Sequence, residues 1–204
     1  MGLDITVHRF SDKKQERYFH MYDVNTETNE IIPIDRGFPE WTKEYVKNRV
    51  VKLHDFVALK EKTGINPDDY HVVMIGPLNK TEKFKDNKDA YGYVLRHNDT
   101  DEEIVLSFEE IPVFKKKVPV IYWEEVGYQR KGLNSKFYQD YEDGKIGYFV
   151  WTKAELERYL DEYCDEDTEI EHGDTKYTAT YKDNFKVNII DNFTEGTDVV
   201  SFSW

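Results

Sequence analysis

The sequence predicts an α+β fold: a mostly antiparallel sheet of about seven to nine strands with two or three helices packed on it. Three observations carry that expectation. Segments of alternating polarity, separated by turn residues, occupy both ends of the chain; the middle contains a hairpin pattern; and apolar positions at three- and four-residue steps occur in a few isolated stretches.

Leu3, Ile5 and Val7 alternate with Asp4, Thr6 and His8, the period of a half-buried strand. Tyr18 to Val24 follows a polar turn at Ser11 to Glu16, and Glu30 to Ile34 continues the meander after Asn25-Thr26-Glu27-Thr28-Asn29. From Trp41, the positions Tyr45, Val46, Val50, Leu53, Phe56, Val57 and Leu59 predict one helix, or two abutting ones, up to Thr63, with Gly64 as the left-handed stop. Asn66-Pro67-Asp68-Asp69 is turn chemistry, and the apolar run Tyr70 to Ile75 suits a central strand. Asn79 to Asp89 is too charged to pack and reads as an exposed loop.

Tyr91 to His97 and Glu103 to Phe108 flank Asn98-Asp99-Thr100-Asp101 as a hairpin. Pro112 and Pro119 bracket Val113 to Lys117, which points to an edge or irregular segment, and Val120 to Tyr128 reads as a further strand. A short helical pattern runs from Asn134 through Tyr141, and Ile146 to Trp151 is a short strand. Thr152-Lys153-Ala154-Glu155 is a capping box opening a helix whose apolar face is Leu156, Tyr159, Leu160 and Tyr163. Lys176 to Tyr181 and Phe185 to Ile190 read as strands, and Val199 to Trp204 as an edge strand or docked tail. With no repeat and no low-complexity linker, residues 1–204 are expected to form a single domain.

The 204 residues carry 28 Lys and Arg against 41 Asp and Glu, a net charge of −13, which disfavours direct binding to nucleic acid or an anionic membrane. One cysteine, Cys164, excludes an internal disulfide framework and fits a reducing compartment. No apolar run approaches the roughly 20 residues of a spanning helix, so a soluble intracellular protein is expected. Residues 155–174 hold ten acids against Arg158 alone, so nine of the thirteen surplus negative charges sit in twenty residues. Such a concentration either solvates a helix end and loop or steers a basic partner surface.

The Walker and dinucleotide glycine patterns and the Gly-x-Ser-x-Gly elbow are absent from the sequence. The histidines are scattered, Cys164 and His172 are a lone pair, and Gln139 to Gly144 places Tyr141 where a calcium ligand belongs. No metal and no cofactor is therefore expected. One enzymatic pattern remains: Pro67-Asp68 ahead of a strand and Asp86-Asn87-Lys88 beyond it, the order used by Mg²⁺-dependent nucleases, in which Asp68 and Asp86 would hold the ion and Lys88 the developing charge.

Glu125-Val126-Gly127-Tyr128-Gln129-Arg130-Lys131, a short helix, and Tyr148 to Leu160, together with the opening Met1-Gly2-Leu3-Asp4-Ile5, resemble a loose group of small tailed-bacteriophage proteins that begin Met-Gly-Leu-Asp and carry a Tyr-x-Arg-Lys signature. Where many of those proteins have Trp after the Tyr and a His on the helix, this chain has Gln129 and no His between Lys131 and Trp151. The resemblance implies a phage protein acting in the host cytoplasm. Read from the residues, Tyr128, Gln129, Arg130 and Lys131 form a cationic fork that either binds a carboxylate or phosphate or ties down the acidic segment internally.

The expected function is non-enzymatic: binding a host protein with a basic surface, such as transcription machinery or a defence nuclease, and inhibiting or redirecting it. The contact residues would be Asp161, Glu162, Asp165, Glu166, Asp167, Glu169 and Glu171, with Trp123, Tyr128, Gln129, Arg130 and Lys131 as a second patch. The alternatives are the nuclease, and a small-ligand or nucleotide-signal binder with a pocket containing Arg130.

Overall fold

The computed structural model describes residues 3–166, 168–172, 175–179 and 181–203, with the backbone alone for 168–172 and 175–179. The protein is α+β with antiparallel sheets, as the sequence predicts. In chain order its elements are β1 (Asp4–Phe10), β2 (Tyr18–His20), β3 (Tyr22–Val24), β4 (Ile31–Pro33), β5 (Val46–His54), α1 (Phe56–Thr63), β6 (Tyr70–Pro77), β7 (Tyr91–His97) and β8 (Glu103–Ser107). There follow β9 (Val113–Arg130), α2 (Ser135–Glu142), β10 (Phe149–Val150), α3 (Lys153–Glu162), β11 (Thr168–His172), β12 (Thr175–Ala179), α4 (Tyr181–Phe185), which runs into a π-turn at Lys186–Ile190, and β13 (Asp198–Ser203).

These elements gather into two compact units, one of residues 1–21, 35–47 and 120–204, the other of residues 22–34 and 48–119. Both are discontinuous in sequence, and the chain passes from one to the other four times, the last two inside β5 and β9. No linker of distinct composition marks the division.

In the first unit the strand order is β10-β13-β1-β9-β2; β5, most of it in the second unit, pairs with β9 off that path. The C-terminal segment, expected at an edge or as a tail, is an inner strand: β13 pairs with β1 from Asp4↔Ser203 to Arg9↔Asp198 and with β10 on its other side. Val199 and Val200 point to opposite faces and both are fully buried, which only an inner strand covered on two sides provides. On one face Ile5, Val7, Val200 and Phe202 pack with Phe137 of α2, Leu156 and Tyr159 of α3, and Phe185 and Ile189. The other face is aromatic, Phe10 and Phe149 meeting Phe19, Phe38, Trp41, Tyr45 and Trp123. Each fully buried large side chain contributes about 1.5–3 kcal/mol of transfer free energy, so both faces hold the sheet strongly.

Four further segments depart from their sequence-based expectation. Val46–His54 is a strand, its odd positions half-buried and Val46, Asn48, Val50 and Lys52 exposed; a two-residue period and β-branched valines prevail over chance three- and four-residue spacings. Lys186–Ile190 is a π-turn continuing α4, with Phe185 and Ile189 buried one helical turn apart. It lies against the sheet at Gly127, where a Cβ would come within 2.1 Å of the Asn188 carbonyl oxygen, so only glycine admits the approach. β9 runs through Pro119, which falls one residue beyond the last β2 partner, Val120, where a missing N–H costs little. β6, expected as a central strand, is an edge of the three-stranded sheet β6-β7-β8, with Val72, Val73 and Ile75 exposed.

In the second unit the β7–β8 hairpin forms as expected, from Gly92↔Ser107 to Arg96↔Glu103. The Asp55 carboxylate caps α1 by accepting from Ala58 N at 2.9 Å, and Gly64 ends it at φ 76°. Leu59 of α1 packs with Leu95, Leu106 and Ile111 on one side of the sheet, while Val94 joins Leu78 and Ala90 on the other.

Two buried polar groups shape the first unit. Asp198 is fully buried; it takes Arg9 Nε at 2.9 Å and Nη2 at 2.8 Å, together with Thr194 N and Thr197 Oγ1. Asp198→Ala leaves the Thr194 amide and the Thr197 hydroxyl without their buried acceptor, while the part-exposed Arg9 keeps Asn192 O and Thr194 Oγ1, and is expected to cost about 2–4 kcal/mol in urea denaturation; a loss below about 1 kcal/mol would show that the tie is dispensable. His8 lies edge-on to Trp123 at 4.1 Å between ring centroids and shares a 2.7 Å hydrogen bond between Nε2 and Ser201 Oγ. Burial first, and the charge of Arg17 second, lower its pKa from 6.5 to about 3. The folded protein thus keeps His8 neutral while the unfolded chain protonates it. Stability should fall as the pH drops from about 6.5 towards 3, by up to roughly tenfold in the folding constant per unit from this group. Nitrogen NMR shifts of His8 should remain those of a neutral ring at pH 5; a charged ring there would contradict the burial argument.

Candidate functional site

Capping and core packing fix α3. Thr152 Oγ1 accepts from Glu155 N at 3.3 Å, closing half of the expected capping box. Leu156, Tyr159, Tyr163 and Cys164 are buried, Tyr159 and Tyr163 meeting edge-to-face at 5.2 Å. With that side sealed, Glu157, Asp161 and Glu162 are left in solvent. Asn134 ties the C-terminal end, its backbone N donating to Tyr163 O at 2.7 Å and its side chain to Glu162 O at 3.2 Å.

The acids are partly answered by cations. Arg158 reaches Glu155 at 3.7 Å and Glu162 at 3.9 Å, Lys136 reaches Glu162 at 3.5 Å, and Lys182 meets Glu166 at 2.6 Å. These pairs are exposed and long or singly bonded, so each contributes little. Glu157 and Asp161 have no ion pair among the described residues, and Asp165 N donates to Gly132 O at 2.9 Å. Glu169 and Glu171 lie on β11, opposite Thr178 and Lys176 of β12. Asp167 lies outside the described residues.

The second expected patch divides. Tyr128 and Arg130 are exposed on β9, and both turn to Asp4, Tyr128 Oη donating to Oδ1 at 2.8 Å and Arg130 Nε standing 3.7 Å from it. The hydrogen bond to Asp4 pushes the Tyr128 phenol above its ordinary pKa. This internal tie goes to Asp4 rather than to the acidic segment, because the register sets Asp4 opposite Arg130. Lys131 is exposed with a left-handed backbone, φ 67°. Gln129, expected in the contact surface, is buried opposite Ile5: Nε2 donates to Lys131 O at 3.2 Å, and Oε1 has no hydrogen-bond partner. Strand alternation turns it inward between its two exposed neighbours. Trp123 is half-buried in the aromatic face, stacked on Phe19 at 5.4 Å with Arg17 over its ring. The groove beside it is lined by Gln15, Glu16, Arg17, Glu124 and Glu125, with Arg17 and Glu125 paired at 2.8 Å.

The residues of the other two readings are spread out. Asp68 accepts from Thr26 Oγ1 at 2.7 Å beside an apolar cavity, whereas Asp86 and Lys88 are exposed in the turns after Phe84. Among the described residues no three His, Cys, Asp or Glu gather where they could hold a metal ion. Asp140, in the stretch weighed as a calcium loop, is drawn down to about pKa 2, first by the hydrogen bond from Lys145 and further by those from Tyr163 and Lys136. Arg130 lines none of the described pockets. The buried pair His8 and Ser201 was not legible, since its members are 193 residues apart and only the β1–β13 register joins them.

Gln129→Met matches the side-chain volume and removes the orphaned oxygen. It should leave stability unchanged or raise it by up to about 1 kcal/mol, measured by urea denaturation; a loss above about 2 kcal/mol would show that the amide is needed where it is. Comparison with family models, with curated proteins and with solved structures finds no match for this chain.

Proposed function

We propose that the chain is a non-catalytic binding protein that presents α3 and the residues after it to a basic surface on a partner protein, which it blocks or redirects. The observation that supports this reading most is that carboxylates in excess of their cations are carried on a helix anchored by Leu156 and Tyr159, both fully buried. A charged face held on a rigid element loses little conformational entropy on binding, and its field speeds encounter with an oppositely charged surface. In line with the resemblance to phage proteins, the partner is a host protein met in the host cytoplasm. Tyr128, Arg130 and Lys131 form a separate exposed strip on β9 that offers a mixed rim.

The test reverses exposed acids, of which Glu166 gives up only its surface pair with Lys182. The triple variant Glu157→Lys, Asp161→Lys, Glu166→Lys should keep its circular dichroism and thermal midpoint within a few degrees. Its affinity for the bacterial protein retained by the wild type should fall by about 100-fold or more, and wild-type binding should weaken steeply between about 0.1 and 0.5 M salt. Equal retention by both proteins at low salt would refute the anionic contact.

A further inference from the structure

We propose that the second unit holds a small-molecule site, taking a one- or two-ring aromatic compound with a cationic or hydrogen-bond-donating group and using Asp68 as its polar anchor. Between α1 and the inner side of the β6-β7-β8 sheet lies a cavity of about 230 Å³. Leu95, Leu106 and Ile111 are its buried lining, Phe56, Tyr70 and Tyr93 add half-buried aromatic surface, and Val72, half in solvent on the edge strand, stands where it opens. Size sets the first limit on the ligand. The space exceeds the roughly 150 Å³ of a cavity that accepts benzene and falls below the ~300 Å³ at which drug-sized pockets begin, which fits a single ring or a fused pair.

Charge sets the second limit. No lysine or arginine lines the cavity, so phosphates and carboxylates meet no counter-charge, while Asp68 supplies a carboxylate. Thr26 Oγ1 donates to Asp68 Oδ1 at 2.7 Å and Asn98 Nδ2 donates to the Asp68 backbone oxygen at 3.1 Å, so the residue is held from two directions. Its Oδ2 has no hydrogen-bond partner among the described residues. The Tyr93 phenol is engaged with His54 Nδ1 at 3.2 Å, which leaves that ring as wall rather than as a polar anchor. An apolar recess with one fixed acceptor at its mouth orients an aromatic amine with its ring inward and its charge at Asp68. This site lies in the other unit from α3 and does not depend on the binding role given to that helix.

Tryptamine, indole and indole-3-acetate are the probes, titrated into the full chain and followed by amide chemical shifts. Tryptamine should saturate below about 1 mM and bind roughly fivefold more tightly than indole, with indole-3-acetate weakest. Asp68→Asn should bring tryptamine to within about twofold of indole, whereas Asp69→Asn, a neighbouring acid outside the cavity lining, should preserve the preference and so control for the net negative charge. Val72→Trp, a surface change at the mouth, should weaken all three by about tenfold or more. No saturable binding of any probe by 10 mM, or a tryptamine preference that survives in Asp68→Asn, would overturn the proposal.

Discussion

The first unit rests on the meeting of the two ends of the chain. β1 and β13 lie side by side in the middle of the sheet, and their ladder closes at Arg9↔Asp198, where a fully buried carboxylate receives both guanidinium donors. A buried charge is tolerated only when its partners are fixed, and here the Thr194 amide and Thr197 hydroxyl complete the shell. β1, already flanked by β9 on one side, therefore gains its second neighbour only when β13 is made. Contacts of such sequence separation carry a large loop-closure cost, and the sheet repays it through the two packed faces the central strands separate.

Those faces have different chemistry and different consequences. The helical face is aliphatic and aromatic apart from the buried Asp198 at its end, and it is what turns the acid-rich helix α3 into a fixed display. The aromatic face admits a titratable side chain, His8, whose neutral form suits the site. Its hydrogen bond to Ser201 joins β1 and β13 a second time, so the pairing that organises the unit is also sensitive to acid. The second unit distributes its apolar surface less completely, leaving Val72, Val73 and Ile75 exposed along β6 and a cavity beneath the same sheet. Apolar surface left uncovered in this way is commonly put to use in recognition.

Much of the architecture was legible locally. Alternation of Leu3, Ile5 and Val7, the Thr152 cap, the left-handed Gly64 and the turn at Asn98 to Asp101 are each encoded within a few residues, and each appears where the pattern places it. Misreadings arose where two periods fit the same letters. Val46 to His54 satisfies both helical and strand spacing, and Phe185 to Ile190 is β-branched yet buries residues one helical turn apart. Of the candidate contact residues, the exposure of Asp161 and Glu162 follows from the helix face opposite Leu156 and Tyr159. The burial of Gln129 depends on which side of β9 faces the core.

The sequence by itself determined the α+β class, the caps and turns, and the concentration of acid between residues 155 and 174, because each depends on propensity, periodicity or charge among near neighbours. Only the tertiary structure decided which strands are inner and which are edges. β6 and β13 are both apolar, and their roles are the reverse of their expected ones because position in a sheet belongs to the partners, not to the strand. The same holds for Asp198, His8 and the cavity beside Asp68: each is assembled from residues far apart in the chain, and only the register of the strands brings them within reach.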